Sequence, residues 1–218
     1  MGAEEDTREK INLERILTLK QMLKDGQGGP AELHELGVRY HGLRNYESAV
    51  HYLDELLDAY PEYVELAAVH ALRIFCLVEH GEHERAEELL AERLKIHERD
   101  TRLLAMRAFV REKADDFAEA IRLHRRVLEL EPENLNSLNS LGYLLALHGA
   151  PEEQQEAYDC LKKVISRSPD HPAYLDSFGV FLAKKGQKEH ARKALMKALK
   201  RAPNNTEILQ HLKELLGV

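Results

Sequence analysis

Leu138-Asn139-Ser140-Leu141-Gly142-Tyr143-Leu144-Leu145 and Leu175-Asp176-Ser177-Phe178-Gly179-Val180-Phe181-Leu182 are two versions of one phrase. Each is followed by an alanine and then a proline, Ala157 and Pro169 after the first, Ala191 and Pro203 after the second. Gly142 to Gly179 is 37 residues, while Ala157 to Ala191 and Pro169 to Pro203 are both 34. A period of this length, with small residues at fixed offsets in an apolar pattern, is the signature of a helical repeat array. The glycine and the alanine let two antiparallel helices approach closely, since a larger side chain at the crossing would push the backbones apart. The proline ends the second helix, because it lacks a donor and crowds the preceding turn.

The same pattern runs back toward the start of the chain. A first helix, A, carries its small residue at Gly37, Ala71, Ala108, Gly142 and Gly179. A second helix, B, carries its alanine at Ala49, Ala86, Ala120, Ala157 and Ala191, and the closing position is Pro61, Glu98, Pro132, Pro169 and Pro203. Five units follow, at residues 30–63, 64–100, 101–134, 135–171 and 172–205. The spacing from the A small residue to the B alanine is 12 in units one, three and five, and 15 in units two and four. In unit two Gly81 comes late, which predicts a helix A one turn longer. In unit four Pro151 follows Gly149. Proline favours a first helical position, so helix B is expected to start a turn early there.

Further helices flank the units. Residues 1–29 read as an N-terminal helix and linker, with Ile11, Ile16, Leu17, Leu19 and Leu23 at helical spacing and Gly26, Gly28 and Gly29 as the stop. This helix either covers unit one or lies in its groove. Residues 206–218 read as a C-terminal capping helix with Ile208, Leu209, Leu212, Leu215 and Leu216 on its apolar face. An array needs such a helix to cover its last repeat.

Leu36-Gly37, Tyr40, Ala49 and Pro61 in unit one resemble the tetratricopeptide repeat, and units three to five match at most positions. Unit two departs furthest, with His70-Ala71 and Glu98. The phrases Leu138–Ala146 and Pro172–Ser177 further resemble a subgroup of bacterial tetratricopeptide proteins that are often scaffolds or adaptors of the bacterial envelope. The resemblance implies an all-α fold, a right-handed α-solenoid of about five helix pairs. It also implies that the A helices line a concave groove for a peptide or helix of a protein partner. Mapped onto this chain, the groove positions are Ala31, His34 and Val38, then Glu65, Ala68 and Leu72. They continue with Arg102, Ala105 and Phe109, with Asn136, Asn139 and Tyr143, and with Asp176, Val180 and Lys184. The strongest peptide-binding candidates are Arg102, Phe109, Asn136, Asn139, Tyr143, Asp176 and Lys184. Asparagine is a poor residue inside a helix. Asn136 and Asn139, with Tyr143 a turn on, therefore suggest an amide clamp on a peptide backbone. The lysine and asparagine clamp that holds chaperone tails is missing from unit one, where His34 and Val38 stand in its places.

Composition narrows the remaining classes. Lys plus Arg number 31 against 38 Asp plus Glu, a net charge of −7, so nothing draws the whole chain to nucleic acid or an anionic membrane. No apolar run reaches the roughly 20 residues of a membrane span. The start is polar and acidic, and a cytoplasmic home is expected, with a periplasmic or envelope home open if a leader has been removed. Cys76 and Cys160 stand alone in helical patterns and are expected to be buried free thiols. The twelve histidines are scattered without a zinc-ligand spacing, so no metal site is expected. Lys184–Arg201 is strongly basic, but Ala191, Ala194, Leu195 and Ala198 hold its buried face, which leaves the charges for water or an acidic protein. No phosphate loop, nucleophile elbow or His-Glu-x-x-His motif occurs. The chain is expected to be a non-enzymatic interaction scaffold without a cofactor. Self-assembly into a homo-oligomer within a bacterial complex is the alternative.

Overall fold

The computed structural model describes residues 2–217, with side chains from Lys10 onward. Among the described residues there are twelve α-helices and no strand. They are α1 (Gly2–Lys24), α2 (Pro30–Gly42), α3 (Tyr46–Ala59), α4 (Leu66–Glu79), α5 (His83–Ile96) and α6 (Thr101–Lys113). They continue with α7 (Phe117–Leu130), α8 (Leu135–His148), α9 (Gln154–Arg167), α10 (Pro172–Lys184), α11 (Lys188–Arg201) and α12 (Thr206–Leu216). The fold is all-α, assembled from helix pairs in the manner of an α-solenoid. Asn45, Asp116, Asn134 and Asn205 each accept a hydrogen bond from the third backbone N–H of the helix they start. The chain forms two compact units, Met1–Glu92 and Arg93–Val218, and the division falls inside α5.

The expected close crossing is present in the pairs α2/α3, α8/α9 and α10/α11. A Cβ placed on Gly37 would lie 2.6 Å from Leu53 Cδ2. One on Gly142 would lie 2.6 Å from Leu161 Cγ, and one on Gly179 2.7 Å from Leu195 Cγ. The facing alanines Ala49, Ala120, Ala157 and Ala191, like Ala86, are completely buried. Helices α3, α5, α7, α9 and α11 are all 14 residues long with that alanine fourth, so helix B is the invariant element. The residue four places after each alanine is Leu53, Leu90, His124, Leu161 or Leu195, all buried. His124 takes a leucine's place, and burial pushes its imidazole down to about 4, so it is neutral in the native core at neutral pH. Cys76 and Cys160 are free and buried, and burial pushes both thiols up to about 11.

Unit two departs from its sequence reading. Helix α4 has 14 residues against 13 in α2, α6 and α10, so it is not one turn longer. The loop before it, residues 60–65, is two residues longer than the four-residue loops that precede α6, α8, α10 and α12. Two residues in that loop and one in the helix make up the three extra. Counted from the turn, Ile74 therefore stands where Gly37, Ala108 and Gly179 stand, five residues before the helix end. Ile74 is 5% exposed, whereas Ala71, assigned to that place from spacing, faces solvent. The shift of three also moves the groove positions of unit two from Glu65, Ala68 and Leu72 to Ala68, Ala71 and Phe75. In unit four the extra residues form a 3-10 turn, Pro151–Glu153, just ahead of α9, close to the expected early start.

Helix α1 covers the flank of α2. Ile16 and Leu19 are buried against Leu36, and Arg15 grips Glu35 through Nε and Nη2 at 2.9 and 2.6 Å. Arg39 donates to Asn12 at 2.7 Å and to Glu35 at 3.0 and 3.2 Å. The helix thus caps unit one and does not fill the groove, where Val38 stays exposed. Ile11, expected on the apolar stripe, faces solvent, as do Leu13 and Leu17, which lie one turn apart, Leu17 at 69% exposure.

The register of unit two is checked by two substitutions. Ala71→Leu should change stability by less than about 0.5 kcal/mol, as at an ordinary surface site. Ile74→Ala should cost about 2–4 kcal/mol through lost burial and a cavity. Chemical denaturation of both variants reads the difference, and the reverse order would restore the register deduced from spacing.

Candidate peptide-binding face

In the second compact unit, α8 and α10 lie side by side as neighbouring A helices. Tyr174 is positioned by stacking on His171, with ring centroids 4.0 Å apart, and donates its hydroxyl to Asn136 Oδ1 at 2.9 Å across the two helices. Asn139, one turn on, is half-buried, and its side-chain oxygen is shielded with no protein hydrogen-bond partner. Another turn on, the half-buried Tyr143 approaches His211 of α12, with 3.4 Å between hydroxyl and Nε2. His211 Nδ1 lies 3.0 Å from both carboxylate oxygens of Asp176, which is 7% exposed. Helix α12 packs on α10 and α11, with Ile208 buried against Leu175 and Ala198.

The charges follow from this arrangement. The hydrogen bond to Asp176 raises the His211 pKa above its ordinary 6.5, against the opposing effect of burial, and the Glu207 and Glu214 carboxylates add to the rise. Burial pushes Tyr143 up to about 12, with Glu207, Asp176, Glu112 and Glu214 contributing. The acidic side chains around His211 thus favour its charged form.

Beside this network lies an open cleft. Tyr143, Leu147, Val180 and Ala183 form its apolar lining, Lys184 and Lys188 supply cations, and His211, Glu214 and Leu215 of α12 form the opposite wall. Neither lysine has an ion-pair partner among the described residues. The structure thus gathers Tyr143 and Lys184 at one cleft, with Asp176 beneath the histidine that walls it. Asn136 and Asn139 lie further along α8. Asn136 is committed to Tyr174, so the two amides do not form the free pair that the sequence suggested. Arg102 and Phe109 stand apart. Arg102 turns back to Asp100, the residue that caps its own helix, at 3.2 Å, and the Phe109 ring lies under the Lys113 ammonium at 5.6 Å. In the basic stretch, Lys197 and Arg201 both pair with Asp170, which consumes part of its charge within the chain.

The residue that sequence reasoning missed is His211. Its signal lay elsewhere, in Asp176, an acidic residue inside an otherwise apolar helix A. Leu209 and Leu216, assigned to the apolar face of α12, are exposed, and Ile208 alone is fully buried in that helix. The first unit has its own cleft, lined by His34, Val38, His41 and Tyr63 with Asn12 at one side. His34 bonds Tyr63 at 3.3 Å and reaches Glu65 at 3.5 Å.

Sequence patterns of the tetratricopeptide repeat match residues 40–108, 106–172 and 174–205. The chain is a tetratricopeptide repeat (TPR) protein. It is 32% identical over 185 residues to a TPR repeat-containing protein of Pseudomonas aeruginosa, which covers 85% of this chain. The chain spans only 30% of that relative's length. Among solved structures it is similar to a thermophilic TPR protein of Thermus thermophilus, with a TM-score of 0.69 at 16% identity over 87% of this chain and 100% of the other. It is also similar to YrrB, a TPR protein with an unusual peptide-binding site, with a TM-score of 0.53 at 19% identity over 89% and 97% of the two chains. At these identities the solved structures establish the fold alone.

For this TPR protein the His211–Asp176 pair has a defined pH signature. A histidine whose folded pKa is raised contributes stability that is complete below the unfolded value of about 6.5 and lost as pH rises through the folded value. NMR titration should find His211 ionising above its ordinary value, and Asp176→Asn should bring it down. An unshifted His211 in the wild-type chain would contradict the pairing.

Proposed function

We propose that this TPR protein is a non-enzymatic interaction scaffold that holds a peptide or helix of a protein partner on the A-helix face of its second compact unit. The observation that carries the reading is the cleft beside α8 and α10. An apolar lining of Tyr143, Leu147, Val180 and Ala183 bordered by Lys184 and Lys188, unpaired among the described residues, suits a helix or extended segment that buries apolar side chains and presents acidic ones. Asn139 and Lys184 are proposed to orient it, with Asp176 acting through the His211 it holds in the cleft wall, whereas Asn136, Arg102 and Phe109 are engaged within the chain and lie outside the proposed contact. A role as adaptor in a bacterial assembly is part of the same proposal. The fold shared with YrrB lends support from a TPR protein whose peptide-binding site is described as unusual. Affinity capture from native lysate with the wild-type chain and with Asn139→Ala plus Tyr143→Ala tests it. The captured partners should be lost with the double variant, and equal capture by both chains would refute the reading.

A second reading, self-assembly, draws on Leu13 and Leu17. Two leucines one turn apart on the outer face of α1 are an unpartnered apolar pair that a second copy could cover. Light scattering on the purified chain should then give an oligomer that Leu13→Glu plus Leu17→Glu reduces to monomer. A monomeric wild-type chain would rule this reading out.

A further inference from the structure

We propose that the A-helix face of the second unit takes an amphipathic partner helix carrying a basic residue, seated in exchange for α12. This rests on the groove reading above and narrows it to one class of partner. Three observations lead here. First, α12 already lies against residues at groove positions, with His211 on Tyr143 and Asp176. Second, the hold on α12 is slight. It is eleven residues long, Ile208 at 2% exposure is its only fully buried residue, and Leu209 and Leu216 face solvent. So short a helix is marginal without tertiary contacts, and a segment with few buried contacts opens at low cost. Third, Asp176 dictates what can replace it. The carboxylate is buried, and His211 is its one ion-pair partner among the described residues. The other charged groups of α12 near the pair, Glu207 and Glu214, and Glu112 of α6 are acidic, and Lys184 and Lys188 do not pair with Asp176.

Asp176 is buried with α12 seated over it, so a helix that takes that place covers the carboxylate again, and without a cation of its own it would leave a buried unpaired charge, which is strongly disfavoured. A helix that displaces α12 must therefore bring its own positive charge to Asp176. The seated helix shows the pattern required, with apolar residues at Ile208, Leu212 and Leu215 and the base at His211. That is apolar at i, i+4 and i+7 with the basic residue at i+3, the spacing of one helix face.

The test uses a labelled synthetic peptide with the sequence of residues 204–218, and a second peptide with alanine in place of its histidine. Both are titrated at pH 6 against the full wild-type chain and its His211→Ala and His211→Arg variants. Circular dichroism and thermal melting confirm that every variant is folded. The histidine peptide should bind the His211→Ala chain at least ten-fold tighter than wild type, because the internal helix no longer competes. Binding to His211→Arg should stay as weak as to wild type, since arginine keeps the internal helix seated. The alanine peptide should bind the His211→Ala chain at least ten-fold more weakly than the histidine peptide, and adding Asp176→Asn should remove that difference. Equal binding of the two peptides to the His211→Ala chain, or no binding to that folded chain, overturns the proposal. Either failure with partner capture still lost in the Asn139→Ala plus Tyr143→Ala chain would leave the groove reading standing. Successful exchange with unchanged partner capture would remove the groove reading and keep the exchange.

Discussion

The close approach of helix A to helix B is the constraint on which the rest depends. At Gly37, Gly142 and Gly179 even one added carbon would collide with the leucine of the facing helix. That contact sets the distance and register of each pair. It also decides which residues are buried in the seam and which are left over for other contacts. The equal length of α3, α5, α7, α9 and α11 follows from the same constraint, because helix B must present its alanine and, one turn later, its bulky residue at fixed heights. Insertions are then absorbed where the seam does not reach. They lengthen the loop at residues 60–65 and form the 3-10 turn at Pro151–Glu153.

Electrostatics adds a second layer in the latter half of the chain. Asp176 occupies a buried place in an apolar helix, a costly position for a carboxylate without a partner. His211 supplies the partner from the chain's last described helix, and the acidic side chains around it favour its charged form. A capping helix needs only apolar contacts to cover a repeat. The ion pair adds orientation to α12 and sets one histidine beside a tyrosine and a lysine-bordered cleft.

Much of the fold was legible in the sequence because the repeat constrains residue type by sterics. Glycine and alanine at crossings, leucine opposite them and proline at helix ends can be read without coordinates. Unit two resisted, since Ala71 is small and Ile74 is not, and spacing favoured the small residue. The true register was fixed by the three-residue turn before α5, where a sequence count cannot distinguish a longer loop from a longer helix. The site was less legible. Asn136 looked like half of an amide clamp, but its oxygen accepts from Tyr174, 38 residues away. Arg102 looked free on a groove position, but turns to Asp100.

What the sequence by itself determined is the identity of the repeating unit, its all-α character and the set of side chains the seam leaves unassigned. These follow from local rules, namely helical periodicity, steric size at crossings and helix termination. What only the tertiary structure decided is how the unassigned side chains are used. The pairing of His211 with Asp176, the side of α2 that α1 covers and the burial of Ile74 in place of Ala71 depend on contacts between residues distant in the chain. Their energies depend on burial and charge in three dimensions, and no period in the sequence encodes them.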